Sequence, residues 1–170
     1  MGNNVMASGR LQLKELLSPG GITAMTIDST GRITKPVIPC ANVNLTTDTV
    51  GSDTTSNYPI FIFNATTLNQ GSHYNTATGI FTCPVAGIYQ VTAYGMDKNG
   101  GASGAFYLHV RLDGTVVGNP GGSYTASASH AGASITKLIS CTAGQELSIG
   151  YYASSGALSG YCGATFMLVG

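Results

Sequence analysis

The sequence predicts an all-β domain, and three observations carry that expectation. Apolar and polar residues alternate with a period of two through most of the chain, the spacing at which successive side chains leave opposite faces of a strand. The 24 glycines are spread along all 170 residues, as turns between many short strands require. Only one segment offers a helical pattern, and it is short.

That segment is residues 10–17 (RLQLKELL), which sets Leu11, Leu13, Leu16 and Leu17 among polar residues before Ser18-Pro19-Gly20-Gly21 ends the pattern. A short helix fits it. So does the start of a strand, with Leu11 and Leu13 separated by polar neighbours, and the pattern leaves both open. A hairpin signal follows: MTI, the turn Asp28-Ser29-Thr30-Gly31, then RIT. Asp28 opens the turn and Gly31 takes the positive φ that closes it. Lys35-Pro36-Val37-Ile38-Pro39 then reads as a rigid extended linker.

Beyond the linker the alternation is sustained. Phe106, Leu108, Val110 and Leu112 share one face, with Tyr107, His109 and Arg111 opposite, and Asp113-Gly114 turns the chain into Thr115-Val116-Val117. Tyr89, Val91 and Ala93 oppose Ile88, Gln90 and Thr92, while Leu147, Ile149 and Tyr151 share a face. Two segments are apolar on both faces, Ile60-Phe61-Ile62-Phe63 and Phe166-Met167-Leu168-Val169. These are expected to be covered by a sandwich core on one side and a neighbour on the other.

Composition narrows the function classes. Hydrophobic residues make up 43% of the chain, which excludes a disordered segment, and the length suits one domain with a short appendage. Only 8% of residues are charged, against about a quarter in an ordinary soluble domain. So few charges defend a monomer poorly against association, which points to a surface covered by partners or by copies of itself. Seven basic and seven acidic residues cancel without forming a basic run, so nucleic acid is not an expected partner. No apolar stretch is long enough to span a bilayer, and membrane insertion is not expected. The opening MGNNVMASGR shows neither the charged start nor the apolar core of a signal peptide, and Met6 stands where a myristoylation motif wants Ser or Thr. Cys40, Cys83, Cys141 and Cys162 form no CxxC pair and no Cys/His cluster. They are expected to be free buried thiols acting as small hydrophobes, with disulfides the lesser alternative.

From Tyr58 onward, YPIFIFNATTLNQGSHYNTATGIFTCPVAGIYQVTAYG resembles the signature of the C1q/TNF-like superfamily. In that signature an apolar strand is followed by Asn and then by Tyr-Asn/Asp-x-x-Thr-Gly-x-Phe-x-Cys-Pro-x-x-Gly-x-Tyr. The matching positions are Asn69, Tyr74, Asn75, Thr78, Gly79, Phe81, Cys83, Pro84, Gly87 and Tyr89. Weaker matches continue through YLHVRLDGTVV, the turn and strand of Ala143-Gly144-Gln145-Glu146-Leu147, and Phe166. The family usually ends in Phe-x-Gly-x-Leu, where this chain has Phe166-Met167-Leu168-Val169-Gly170. The resemblance implies a C1q/TNF-like jelly-roll sandwich over residues 40–170 that forms homotrimers around an apolar axis. Ile60, Phe61, Ile62, Phe63, Tyr74, Phe81, Tyr89, Phe166 and Leu168 would then build the core and the trimer contact.

The segment GGITAMTIDSTGRITKP resembles the short hairpin found ahead of C1q-like heads in tailed-phage virion proteins. No Gly-X-Y collagen repeat is present. The resemblance implies a division into an attachment arm and hairpin (1–34), a Pro-rich linker (35–39) and the jelly roll (40–170). The attachment residues would be Arg10, Leu13, Leu16, Leu17, Ile22, Ile27 and Ile33.

Enzymatic chemistry finds little footing. Ser134-Ile135-Thr136-Lys137 matches the SxxK pattern of serine acyl enzymes, but its companion SDN and KTG elements are missing and the segment reads as a strand. His73, His109 and His130 show no ligand spacing, and His109 reads as a surface or interface residue. Asp48 and Asp53 offer two carboxylates to calcium without a ladder of further ligands, so solvated loop residues are the simpler expectation and no cofactor is expected. Asn44-Leu45-Thr46 and Asn64-Ala65-Thr66 are sequons that matter only in a secreted eukaryotic protein. The polar, glycine-rich stretches GNPGGSYTASASHAGAS and ASSGALSGYCG carry Tyr124, His130 and Tyr161. An aromatic among small residues is the composition of an adaptable binding loop, though plain inter-strand connections share it.

The function expected from these readings is a non-enzymatic phage virion protein made in the host cytoplasm. It would be a trimeric knob anchored to the major capsid protein or another virion protein as a decoration or head-fibre protein. An arm reaching at most roughly 3.5 Å per residue anchors a knob but does not build a long shaft. The alternative is a tail-tip protein that binds a host surface glycan or protein through Tyr124, His130 and Tyr161.

Overall fold

A computed structural model describes residues 6–7, 10–11, 15–17, 23–34, 38–50, 58–97, 104–125, 131–153, 157–158 and 161–170. Every regular element among them is a strand. The chain divides into two compact units, Met1–Ile38 and Pro39–Gly170.

In the first unit, β1 (Met6–Ala7) pairs with β2 (Arg10–Leu11), and β3 (Glu15–Leu17), β4 (Thr23–Ile27) and β5 (Ile33–Thr34) form an antiparallel sheet in that order. The RLQLKELL segment is therefore strand where it is described. Eight residues are too few to sustain a helix alone, whereas pairing with β4 satisfies the backbone of β3. The hairpin turn is built by Asp28. Its carboxylate accepts from the Thr30 hydroxyl (2.7 Å), the Thr30 N–H (2.8 Å), the Arg32 N–H (3.0 Å) and Arg32 Nε (2.7 Å). These bonds, the Thr30 hydroxyl foremost, hold its pKa down at about 2. Gly31 closes the turn at φ 82°.

The second unit is a sandwich of two antiparallel sheets. Its strands are β6 (Cys40–Asn44), β7 (Thr49–Val50), β8 (Ala65–Gln70), β9 (Tyr74–Asn75), β10 (Ile80–Thr82), β11 (Gly87–Asp97), β12 (Gly104–Leu112), β13 (Thr115–Val116), β14 (Gly121–Thr125), β15 (Ala131–Cys141), β16 (Glu146–Ala153), β17 (Ala157–Leu158) and β18 (Gly163–Leu168). One sheet has seven strands: β15, β11, β18, β6 and β8 lie side by side, and β17 and β7 continue beyond the end of β11. The other has six, with β9, β10, β16 and β12 in order and both β13 and β14 on the far side of β12. Key neighbours come from distant parts of the sequence, β18 with β6 and β11, and β10 with β16, which is jelly-roll topology.

The period of two places the core. Tyr89, Val91 and Ala93 of β11, Phe106, Leu108 and Val110 of β12, and Leu147 and Ile149 of β16 are fully buried between the sheets. Phe81 stacks on Phe166 at 5.3 Å, with Tyr89 edge-on to Phe81 and Tyr74 tilted against Phe166. Asp113 (φ 48°) and Gly114 (φ 77°) turn β12 into β13 with positive φ at both positions, the geometry that suits the twist of a two-residue hairpin.

Within a single copy, the two doubly apolar segments turn one side to the core. Ile60-Phe61-Ile62-Phe63 is not a ladder strand, since its one bridge joins Ile60 to Gly150. Beyond the first residue of β10, the chain at Pro59–Phe61 takes its place beside β16: Phe61 N–H donates to Ile149 O (2.7 Å) and Tyr151 N–H to Pro59 O (3.2 Å). Phe61 and Phe63 point into the core and Ile62 points out, 44% exposed. In β18, Phe166 is buried while Met167 and then Val169 emerge on the opposite face.

Candidate assembly and binding faces

The residues that carry the family resemblance are occupied in building the sandwich. Asn69 brackets Tyr74, its Nδ2 donating to Tyr74 O (2.9 Å) and its Oδ1 accepting from Tyr74 N–H (3.1 Å). The Tyr74 hydroxyl accepts from Phe63 N–H and donates to Phe63 O, both at 3.2 Å, so it supplies the backbone partners that Phe63 lacks outside a ladder. Burial pushes the Tyr74 phenol up to about 12. Asn75 organises the following turn, its carbonyl accepting from Gly79 N–H (2.9 Å) and its side chain from Ala77 N–H (2.9 Å). Gly79 has φ 73°, and a Cβ there would come within 2.8 Å of Ile60 Cγ2. The Tyr89 hydroxyl donates to Val85 O (2.9 Å), and burial raises its pKa. With Tyr74, Phe81 and Tyr89 committed to the core, the outer faces are left for contact with other molecules.

The outer face of the seven-stranded sheet follows from the same alternation. Across it run Leu138, Gln90, Met167, Cys40 and Gln70 in one register, then Thr136, Thr92, Thr165, Asn42 and Leu68 in the next. Tyr94 pairs with Ser134 and Gly163 in a third register. No charged side chain appears among these residues. Leu138 is 66% exposed, and Ile88, Tyr94, Leu68, Met167 and Val169 are also exposed. A monomer rarely leaves so many apolar side chains open on one uncharged sheet face.

At one end of this face lies a depression of about 510 Å³ lined by Tyr94, Met96, Ser134, Gly132, Gly122 and Tyr161. Among the candidate loop aromatics, Tyr161 is placed at this depression. Tyr124 lies on β14 opposite Ala105, with its side chain outside the described residues, and His130 is outside them altogether. Tyr94, Met96 and Leu138 were not singled out by the sequence, although their alternation with Ala93, Gly95 and Ile139 was there to be read. Of the attachment residues, Leu17 and Ile33 are exposed and Ile27 half-buried. Arg10 and Leu16 lie on β2 and β3, and Leu13 and Ile22 are outside the described residues.

The other sheet's outer face corrects one expectation. His109 is buried, not at the surface, because Tyr58 folds over it with ring centroids 3.9 Å apart. Arg111 holds that lid by donating from Nη1 to Tyr58 O (2.7 Å). Burial lowers the His109 pKa, and its Nδ1 has no hydrogen-bond partner among the described residues. The SxxK pattern is also disposed of: Ser134 and Lys137 are three apart on β15 and leave opposite faces of the sheet. No group of three His, Cys, Asp or Glu among the described residues is placed to hold a metal. Asp48 is exposed, and Asp53 is outside the described residues.

A family model of the C1q domain matches residues 43–117, from β6 to just past β13. Solved structures superpose over 78–79% of this chain. The globular domain of zebrafish complement 1qA protein aligns at a TM-score of 0.55 with 16% identity, over 78% of this chain and 98% of that one. The fold is the C1q/TNF jelly roll. Murine APRIL has the C1q/TNF fold at a TM-score of 0.57 and 12% identity, covering 78% of this chain and 99% of its own. Eiger TNF from S. frugiperda has it at 0.54 and 10%, covering 79% and 94%. No curated protein matches the sequence.

Proposed function

We propose that this chain is a non-enzymatic assembly and binding module that works as a homotrimer through the outer face of its seven-stranded sheet. The observation that carries the reading is that face: uncharged, strand-ordered, with Leu138, Tyr94, Met167 and Val169 exposed. Trimer formation is common to the C1q/TNF family, and the low overall charge supports it. Burying the exposed part of Leu138 contributes about 1–2 kcal/mol per copy, and three buried unpaired carboxylates in its place cost several times that. Light scattering on the purified chain is expected to give three times the monomer mass of 17.3 kDa, and Leu138→Asp to give a folded monomer. A wild-type monomer at micromolar concentration, or a Leu138→Asp trimer, refutes the assignment.

Within that class we favour a tailed-phage virion protein, a trimeric knob attached through residues 1–34 to a capsid or other virion protein. The support is the likeness of the hairpin segment to those preceding C1q-like heads in such particles, together with exposed Ile33 on that hairpin and exposed Leu17 on the strand paired with it. The depression beside Tyr161 supports the second reading, a tail-tip protein that binds a host surface molecule. Immunogold electron microscopy of intact particles, with antibodies to residues 40–170, separates these. Gold over the whole head supports decoration, gold at the tail end supports host recognition, and no gold on any particle refutes both.

A further inference from the structure

The outer face of the six-stranded sheet carries a covered imidazole. His109 lies between Tyr107 and Arg111 on that face of β12, and its partner across the ladder on β16 is Gly150. A glycine there leaves the room that the Tyr58 backbone and the Arg111 stem fill: a Cβ would lie 3.0 Å from Arg111 Cδ and from Tyr58 O, and 3.3 Å from Tyr58 Cβ. Tyr58 stacks on His109 with ring centroids 3.9 Å apart and the rings inclined by 38°, and His109 is left only 5% exposed. The cover is under strain and held from outside. Tyr58 has φ 43°, a left-handed backbone that an aromatic residue adopts at a cost. Arg111 restrains it, Nη1 donating to Tyr58 O (2.7 Å) while Nε and Nη2 donate to Gly114 O (3.0 and 2.6 Å).

We propose that Tyr58 is an acid-released lid: uptake of a proton by His109 drives the Tyr58 ring off the outer face of the six-stranded sheet. The neutral imidazole tolerates the cover, since an unpartnered Nδ1 is then a bare acceptor. The imidazolium carries N–H at both nitrogens, and Nδ1 has no acceptor among the described residues. No described counter-charge faces it either. On β12 its same-face neighbours are Tyr107 and the Arg111 cation; on β16 they are Ser148, Gly150 and Tyr152; and the lid adds Tyr58. The chain from Val117 to Pro120, which returns beside β12, is uncharged, and Lys137 approaches it at Gly118 with further positive charge. The carboxylates of Asp113 and Glu146 belong to the hairpin end, where Asp113 accepts from Gln145 Nε2 (2.8 Å) and Glu146 N–H (2.9 Å). Asp113 follows His109, and Glu146 precedes Gly150, by four residues, about 13 Å of strand. A covered imidazolium is therefore an unpaired charge beside a fixed cation, and lifting the ring returns it to water. Burial holds the covered His109 below 6.5, so between that depressed value and 6.5 each pH unit of acidification favours the open lid by up to about tenfold.

The test labels the full chain with 3-fluorotyrosine and carbon-13 histidine and follows both nuclei by NMR as pH falls from 7 to 4.5. Among nine tyrosine and three histidine signals, those of Tyr58 and His109 are assigned by their loss in Tyr58→Phe and His109→Phe. The Tyr58 fluorine signal is expected to move to the position of a solvated tyrosine, with the same midpoint as the His109 carbon signal and below pH 6.5, while buried Tyr74 and Tyr89 hold theirs. In His109→Phe a flat ring that takes up no proton keeps the stacking, and the Tyr58 signal is expected to stay in place across the range. Should that variant fail to fold, Tyr58→Ala strips the lid, and the His109 midpoint is expected to rise toward the ordinary 6.5. A Tyr58 signal that stays while His109 titrates, one that moves equally in His109→Phe, one that moves only together with Tyr74 and Tyr89 as the whole chain unfolds, or a His109 midpoint unchanged in Tyr58→Ala each overturns the proposal.

Discussion

Deleting the Tyr74 hydroxyl tests whether the motif tyrosine is there for its ring or for its oxygen. In Tyr74→Phe the ring stays against Phe166, while Phe63 loses its partners for both N–H and C=O. The site is buried, with Tyr74 at 4% exposure and Phe63 at 0%, so water does not replace the hydroxyl without opening the core. A buried backbone group left unpaired costs about 1–3 kcal/mol, so the two together cost about 2–6 kcal/mol, with about 3 kcal/mol expected here. Tyr89→Phe is the control. Its hydroxyl donates to one acceptor, the carbonyl of exposed Val85, where water takes over, and the expected cost is about 0.5–1 kcal/mol. Urea unfolding followed by circular dichroism, at one fixed protein concentration, reads the difference. With a slope of about 1.5 kcal/mol per molar urea, Tyr74→Phe moves the midpoint down by roughly 2 M and Tyr89→Phe by well under 1 M. A Tyr74→Phe shift no larger than that of Tyr89→Phe refutes the reasoning, because it means Phe63 finds its partners elsewhere.

The alkaline limb carries a related signature. Tyr74 titrates at about 12 in the folded chain and near 10 when unfolded, so its contribution is complete below pH 10 and is lost as pH rises toward 12; Tyr74→Phe removes that part of the pH dependence in the same urea assay. His109 acts at the acid end. Its folded pKa lies below the ordinary 6.5, so stability holds above that value and falls as pH drops through it, and His109→Gln flattens the decline measured by thermal melts from pH 7 to 5. Gly79→Ala is expected to cost about 2–3 kcal/mol, since it adds a clash with Ile60 to the strain of a positive φ. Gly144→Ala, at φ 88° with nothing within 4 Å, costs only about 1 kcal/mol of strain. Equal losses in the two glycine variants would show that contact with Ile60 contributes nothing.

The sequence by itself determined the strand character, the turns and the inward face of each long strand, because these are local. Period two decides which side chains share a face; Asp113-Gly114 and Asp28 to Gly31 decide where the chain reverses; and part of the spacing from Asn69 to Tyr89 was legible because Asn69, Asn75 and Tyr89 serve backbone groups within a few residues. What only the tertiary structure decided depends on residues brought together from far apart. The sequence placed His109 on a polar face, but Tyr58, 51 positions earlier, is what buries it. Ile60-Phe61-Ile62-Phe63 looked like a strand covered on both sides, yet it only prolongs the sheet beside β16, where β10 has run out. Sheet neighbours in a jelly roll are set by long connections, and alternation along one strand carries no record of which strand lies beside it.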